Sequence, residues 1–151
     1  MDKIKSPLTI AILLSVSLYS YNVNAAEPGD TSATAPAAAN DHVARAVFTN
    51  SVHDREPADT ITTLGNDKNQ IYFFTDLRGL AGQTVIHRWE YQGKTVDEVK
   101  FNVGGPRWRV WSSKTLSPQS TGDWRVEIIG GDGKTLGEGS FKYTAAAPTA
   151  K

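Results

Sequence analysis

The chain has no cysteine at any of its 151 positions. That absence excludes disulfides, thiol chemistry, cysteine-held metal and the lipidated cysteine of a lipoprotein. An exported chain without disulfides is held by its core alone, which suits a bacterial periplasm better than an animal exterior. An excess of charge is missing as well, since 16 Lys and Arg stand against 16 Asp and Glu. Setting aside Asp2, Lys3 and Lys5 leaves the remainder close to neutral. General attraction to nucleic acid or to an anionic bilayer is therefore excluded, and any such binding would need a local patch. No apolar run reaches the ~20 residues of a membrane-spanning helix. There is no internal repeat and no amphipathic helix of useful length. The three histidines include no pair at ligand spacing, so no metal or cofactor is expected.

What is present begins with a three-part N-terminus. Lys3 and Lys5 are followed by the uncharged apolar stretch Leu8 to Leu18, and then by Val23-Asn24-Ala25 with short residues at the cleavage positions. This order predicts a signal peptide over 1–25, cleaved between Ala25 and Ala26, and hence a periplasmic or secreted protein. Retained, the same stretch would be an inner-membrane anchor; once cleaved, the mature form is not membrane-embedded. Residues 26–41 are mostly Ala, Pro, Gly, Ser and Thr, and read as a flexible spacer. Residues 145–151 read as a disordered tail of the same character. A single domain over 42–144 lies between them.

Within that domain the apolar period is two. Val43 to Phe48 alternates as a first strand, and the dense run Ile71 to Leu77 reads as a central one. Thr84 to Tyr91 sets Val85, His87, Trp89 and Tyr91 on one side, with Ile86, Arg88 and Glu90 on the other. Val96 to Val103, Arg107 to Ser113, Trp124 to Ile129 and Leu136 to Tyr143 follow. The expectation is an all-β, immunoglobulin-like antiparallel sandwich of about seven to eight strands, with Trp89 as its core tryptophan.

The segments His53-Asp54-Arg55-Glu56-Pro57, Tyr72-Phe73-Phe74-Thr75, His87-Arg88-Trp89-Glu90-Tyr91 and Gly105 to Lys114, continued by Gly122 to Lys134, resemble the bacterial DUF2914 family. The resemblance covers nearly all of the folded segment. It implies a bacterial source and one such domain after an N-terminal membrane or export segment. The family has no assigned function, so no site residues come with it.

The strand Arg107 to Ser113 is the most unusual piece. With Trp108 and Val110 inward, Arg107, Arg109, Trp111 and Ser113 share an outer face, where guanidinium groups beside an indole can grip an anion or stack on a ring. Arg88, Glu90 and Lys114 are expected around it. The bland alternative pairs these arginines with Glu90, Glu98 or Glu127 on neighbouring strands, with Trp111 under their stems. A weaker candidate site combines the loop residues His53, Asp54 and Glu56 with His87, as metal ligands or an acid/base set. Against it, His87 falls on the inner face beside Trp89, and a loop carboxylate before Pro57 has a turn role to fill. The triplets Gly93-Lys94-Thr95 and Gly133-Lys134-Thr135 lack the earlier glycine of a phosphate loop and join strand to strand, so they read as hairpin turns.

The resulting expectation is an exported, non-catalytic binding or assembly module of the cell envelope, with another envelope protein as partner. A glycan or anionic polymer stacked on Trp111 is the alternative. A small hydrolase using the His53 to Glu56 loop is the third.

Overall fold

The computed structural model describes residues 40–147. The expected signal peptide, nearly all of the spacer and the last residues of the tail lie outside that range.

The alternating segments form strands, and each turn falls where glycine or a short polar residue permits it. In chain order they are β1 (Val43–Thr49), β2 (Val52–His53), β3 (Glu56–Pro57), β4 (Thr63–Gly65), β5 (Gln70–Arg78), β6 (Thr84–Tyr91), β7 (Lys94–Asn102), β8 (Arg107–Thr115), β9 (Gly122–Ile129) and β10 (Thr135–Thr144). One sheet has the order β1-β5-β8 and the other β4-β10-β9-β6-β7. All ladders are antiparallel except β4 with β10, which run parallel. Strands β5 and β6 are consecutive yet lie in different sheets, and so are β8 and β9. That exchange is how an immunoglobulin-like sandwich is wound. The seven long strands are those expected; the additions are β2, β3 and β4, each of two or three residues.

The inner faces meet in an aromatic core. Phe48 lies 4.7 Å from Phe73 and 4.8 Å from Phe141, and edge-on to Trp89 at 6.0 Å. Trp89, Phe73, Phe141 and Tyr143 are fully buried. Gly139 sits in mid-strand because a Cβ there would stand 2.9 Å from Phe73 Cε2 and 3.1 Å from Phe48 Cε2. At the corner into β9, Trp124 Nε1 donates to Ser120 O at 3.0 Å. A side-chain tie of this kind closes the corresponding corner of immunoglobulin domains, there with a tyrosine. Gln92 and Gly93 have positive φ (49° and 75°), as does Gly133 (80°), so both Gly-Lys-Thr triplets are hairpin turns.

A polar thread crosses this core. Trp89 Nε1 donates to Ser112 Oγ at 3.0 Å, and Ser112 Oγ lies 2.9 Å from His87 Nδ1. His87 Nε2 lies 3.1 Å from Thr75 Oγ1, which donates to Val110 O at 3.3 Å. One proton order satisfies every member. Ser112 accepts from Trp89 and donates to Nδ1, while a neutral imidazole donates from Nε2 to Thr75. Burial holds the imidazole neutral by pushing its pKa down to about 3.

Candidate binding face

Strand β8 is the edge of the three-stranded sheet, paired with β5 over nine residues with no register shift. Val110 and Ser112 are buried against the second sheet. Lys114 points the same way and crosses to Asp97 on β7 at 2.8 Å. Trp108 shares their parity, but it lies near the strand's start with its ring over Gly104, where a Cβ would come within 2.9 Å of Cη2. It is therefore 36% exposed instead of seated in the core as expected. Arg107, Arg109, Trp111 and Ser113 share the outer face, as the alternation predicts.

The arginines on that face are held by carboxylates that sequence reasoning did not assign to them. Asp76, the one charge in the apolar run of β5, receives Arg107 at 2.7 Å and Arg78 at 3.1 Å. Burial acts to raise its carboxyl, but hydrogen bonds from Arg107 and Arg78 outweigh it and hold the pKa below the ordinary 3.8. Arg109 donates to Glu56 at 2.5 Å, and Arg45 from β1 donates to the same carboxylate at 3.1 Å. The partners of Arg107 and Arg109 are thus Asp76 and Glu56, not Glu90, Glu98 or Glu127. Those three glutamates belong to the other sheet.

Glu56 reaches both edges because the loop His53 to Glu56 is a hairpin laid across the sheet. Strands β2 and β3 pair there, with His53 opposite Glu56. Since β5 runs between β1 and β8, a carboxylate bridging Arg45 to Arg109 spans the whole width. Beneath it Phe74, pointing outward from β5, is only 1% exposed, with the Arg45 guanidinium 5.9 Å from its ring. The turn has positive φ at both central residues, Asp54 (51°) and Arg55 (61°), a geometry that favours Asn-Gly and strains an arginine. Behind the hairpin, Asp59 accepts from Thr49 Oγ1 (2.6 Å) and from Asn50 N (2.8 Å) and Nδ2 (2.6 Å), which fixes its base.

A cavity of about 530 Å³ opens beside β8, lined by Arg55, Arg107, Arg109 and Trp111 from the outer side and by Trp108, Val110 and Phe101 from the inner side. Trp111 is 39% exposed, so the arginine stems do not cover it. Five guanidinium groups (Arg45, Arg55, Arg78, Arg107, Arg109) share this side with four carboxylates (Asp54, Glu56, Asp59, Asp76). The face is cationic although the chain is neutral.

The remaining candidates are not brought together. Arg88 and Glu90 lie on β6, on the outer face of the five-stranded sheet and so on the far side of the sandwich. Arg88 pairs there with Glu98 at 2.7 Å and Glu127 at 3.5 Å. Glu90 faces Arg125 at 3.7 Å, and Arg125 also binds Glu127 and Glu138. Both arginines of that face are engaged there by glutamates, which outnumber them four to two. Alternation along β6 predicts that these residues point outward, but parity cannot say out of which sheet. His87 is buried in the polar thread, away from the exposed His53, Asp54 and Glu56. Among the described residues no group of three or more His, Asp or Glu is placed to hold a metal ion. The residues missed were Asp76, Arg55, Trp108 and Phe101. Of these only Asp76 left a signal, as a lone acid in a central apolar strand that requires cationic partners.

Residues 82–143 match DUF2914, described as a protein of unknown function. This is the family that the residue pattern resembles, over the whole of β6 to β9 and most of β10; His53–Pro57 and Tyr72–Thr75 lie outside the match. No curated protein matches the sequence.

Proposed function

We propose that this DUF2914-type domain is a non-catalytic binding module of the cell envelope that holds a protein partner on the cationic, tryptophan-bearing face about β8. The observation that carries the reading is the cavity beside β8. There two indoles stand open next to three guanidinium groups, the side chains that most often dominate protein contacts. The hairpin and Asp76 hold those groups in place before any partner arrives, which lowers the entropy cost of association. The envelope location rests on the N-terminal export pattern.

The test is affinity capture with the intact chain. A defined partner should be recovered, lost on the double change Arg109→Ala and Trp111→Ala, and retained on Arg88→Ala with Glu90→Ala on the opposite face. Capture that survives the first pair rejects this face. The exposure of Trp108 and Trp111 supports a second reading, stacking of a glycan. It predicts saturable quenching of tryptophan fluorescence by envelope saccharides, and a flat response across a panel removes it.

A further inference from the structure

The free edge of β8 has a property beyond its side chains. Leu116 N donates to Asn69 O just past one end of the strand, and Pro106 O accepts from Gly79 N just before the other. In an antiparallel ladder, backbone groups turn alternately toward and away from the partner strand. With no register shift between those ends, the even-numbered residues of β8 spend their N–H and C=O groups on β5. The odd-numbered ones, Arg107, Arg109, Trp111 and Ser113, direct theirs outward, where no strand lies among the described residues.

Each of the other edges is blunted. β1 has a register shift between Val43 and Arg45 and is bridged from outside by Ile61. β4 has three residues. β7 pairs with β6 through a register shift and carries Lys94, Asp97, Glu98 and Lys100. Among the described residues only β8 offers a long regular edge, and natural sheets seldom leave such an edge without a use or a guard.

We propose that the partner is bound by strand addition: an extended segment with acidic and apolar residues in alternation pairs with the free edge of β8 over Arg107 to Ser113. This rests on the binding-face reading above and specifies its occupant. A strand added there has one row of side chains on the outer side of the sheet, beside Arg55, Arg107 and Arg109, and charge complementarity makes that row acidic. Its other row points inward beside Trp108, Val110 and Phe101, and is apolar. The cavity lining contains both sets because the cavity straddles the edge. A second copy of this chain is the wrong occupant, since its β8 would bring the same surplus of arginine to the seam. The Lys114–Asp97 bridge closes the gap between the sheets beyond Ser113 and sets the far limit of the added strand.

The experiment titrates the intact chain with three nine-residue peptides, followed by tryptophan fluorescence. One alternates Glu and Val, the second alternates Lys and Val, and the third is the acidic peptide N-methylated at every second amide. The acidic peptide should bind saturably and the basic one should not. N-methylation, which removes donors while leaving charge, should weaken binding by about tenfold or more. Ser113→Pro should have a similar effect, because that N–H is not used by the ladder, whereas Ser113→Ala should bind normally. If the proline variant does not fold, the methylated peptide still decides. No binding of the acidic peptide at about 1 mM, a bound state no stronger than the millimolar limit, overturns strand addition. Equal binding of the methylated peptide, with loss on Arg109→Ala and Trp111→Ala, overturns strand addition and leaves the face. Binding indifferent to that double change overturns both.

Discussion

The polar thread makes acid sensitivity a quantitative matter. In the folded domain His87 is neutral with its pKa near 3, against 6.5 for the free side chain. The sign follows from which state binds more protons. Between those values the unfolded chain is protonated at this site and the folded one is not, so acidification favours unfolding. Stability from this group is complete above pH 6.5 and is lost as pH falls toward 3. Each pH unit is worth about 1.4 kcal/mol, so the loss between pH 7 and 4.5 is about 2.5 kcal/mol. Domains of this size have only about 5–15 kcal/mol in total. The carboxylates of Asp59, Asp76, Asp97 and Asp132 are all held below their ordinary value of 3.8, so their contributions are lost at lower pH. The window from pH 6.5 to 4.5 therefore reports His87. Urea unfolding of the intact chain at half-unit steps should show the midpoint falling by about 1–2 M across it. In His87→Gln, where the amide donates and accepts in place of the ring, that slope should vanish while the decline below pH 4 persists. A wild-type midpoint that is flat across the window, or a slope unchanged by the substitution, refutes the buried neutral imidazole as its source.

Three further outcomes follow from packing and backbone. Asp76→Asn removes the carboxylate shared by Arg107 and Arg78 and should cost about 1–3 kcal/mol in chemical denaturation; an unchanged midpoint would mean the pair is idle. Gly139→Ala drives a methyl against Phe73 and Phe48 and should destabilise by about 1–3 kcal/mol, read as a lowered Tm with near-ultraviolet dichroism altered. Arg55→Gly should relieve the positive-φ strain and stabilise by about 0.5–1 kcal/mol, while weakening capture of the partner. Loss of both stability and capture would assign Arg55 to the fold instead.

Much of this architecture was legible as period-two patterning. The strand Thr84 to Tyr91 was delimited correctly, with its inward row Val85, His87, Trp89 and Tyr91, because one buried face imposes strict alternation. The outward row of β8 emerged from the same rule. What could not be read was anything set by the pairing of distant segments. β4 is three residues lying parallel to β10, and β2–β3 is a hairpin of two-residue strands, both too short to show a period. Arg88 and Glu90 were grouped with Arg107 because alternation assigns a face but not a sheet. Lys114 has the parity of Val110, and the open side of the sandwich lets its long stem cross to Asp97. Trp108 also has the inward parity, but depth depends on position along the sandwich, and it lies near an end.

The thread through Trp89, Ser112, His87 and Thr75 has a consequence for how this domain is locked. It joins β6 of one sheet to β8 and β5 of the other, across the gap that a disulfide spans in antibody domains. A covalent clasp is indifferent to acid and opens to reductant. This one is the reverse: thiols and oxidants have nothing here to act on, while a single proton on His87 leaves the Ser112 hydroxyl hydrogen without its acceptor. The lock also proofreads. Sliding β8 by two residues keeps every apolar side chain on its proper face, yet carries Ser112 away from both Trp89 and His87. Hydrophobic alternation tolerates that slip; four polar side chains arranged in one donor order do not.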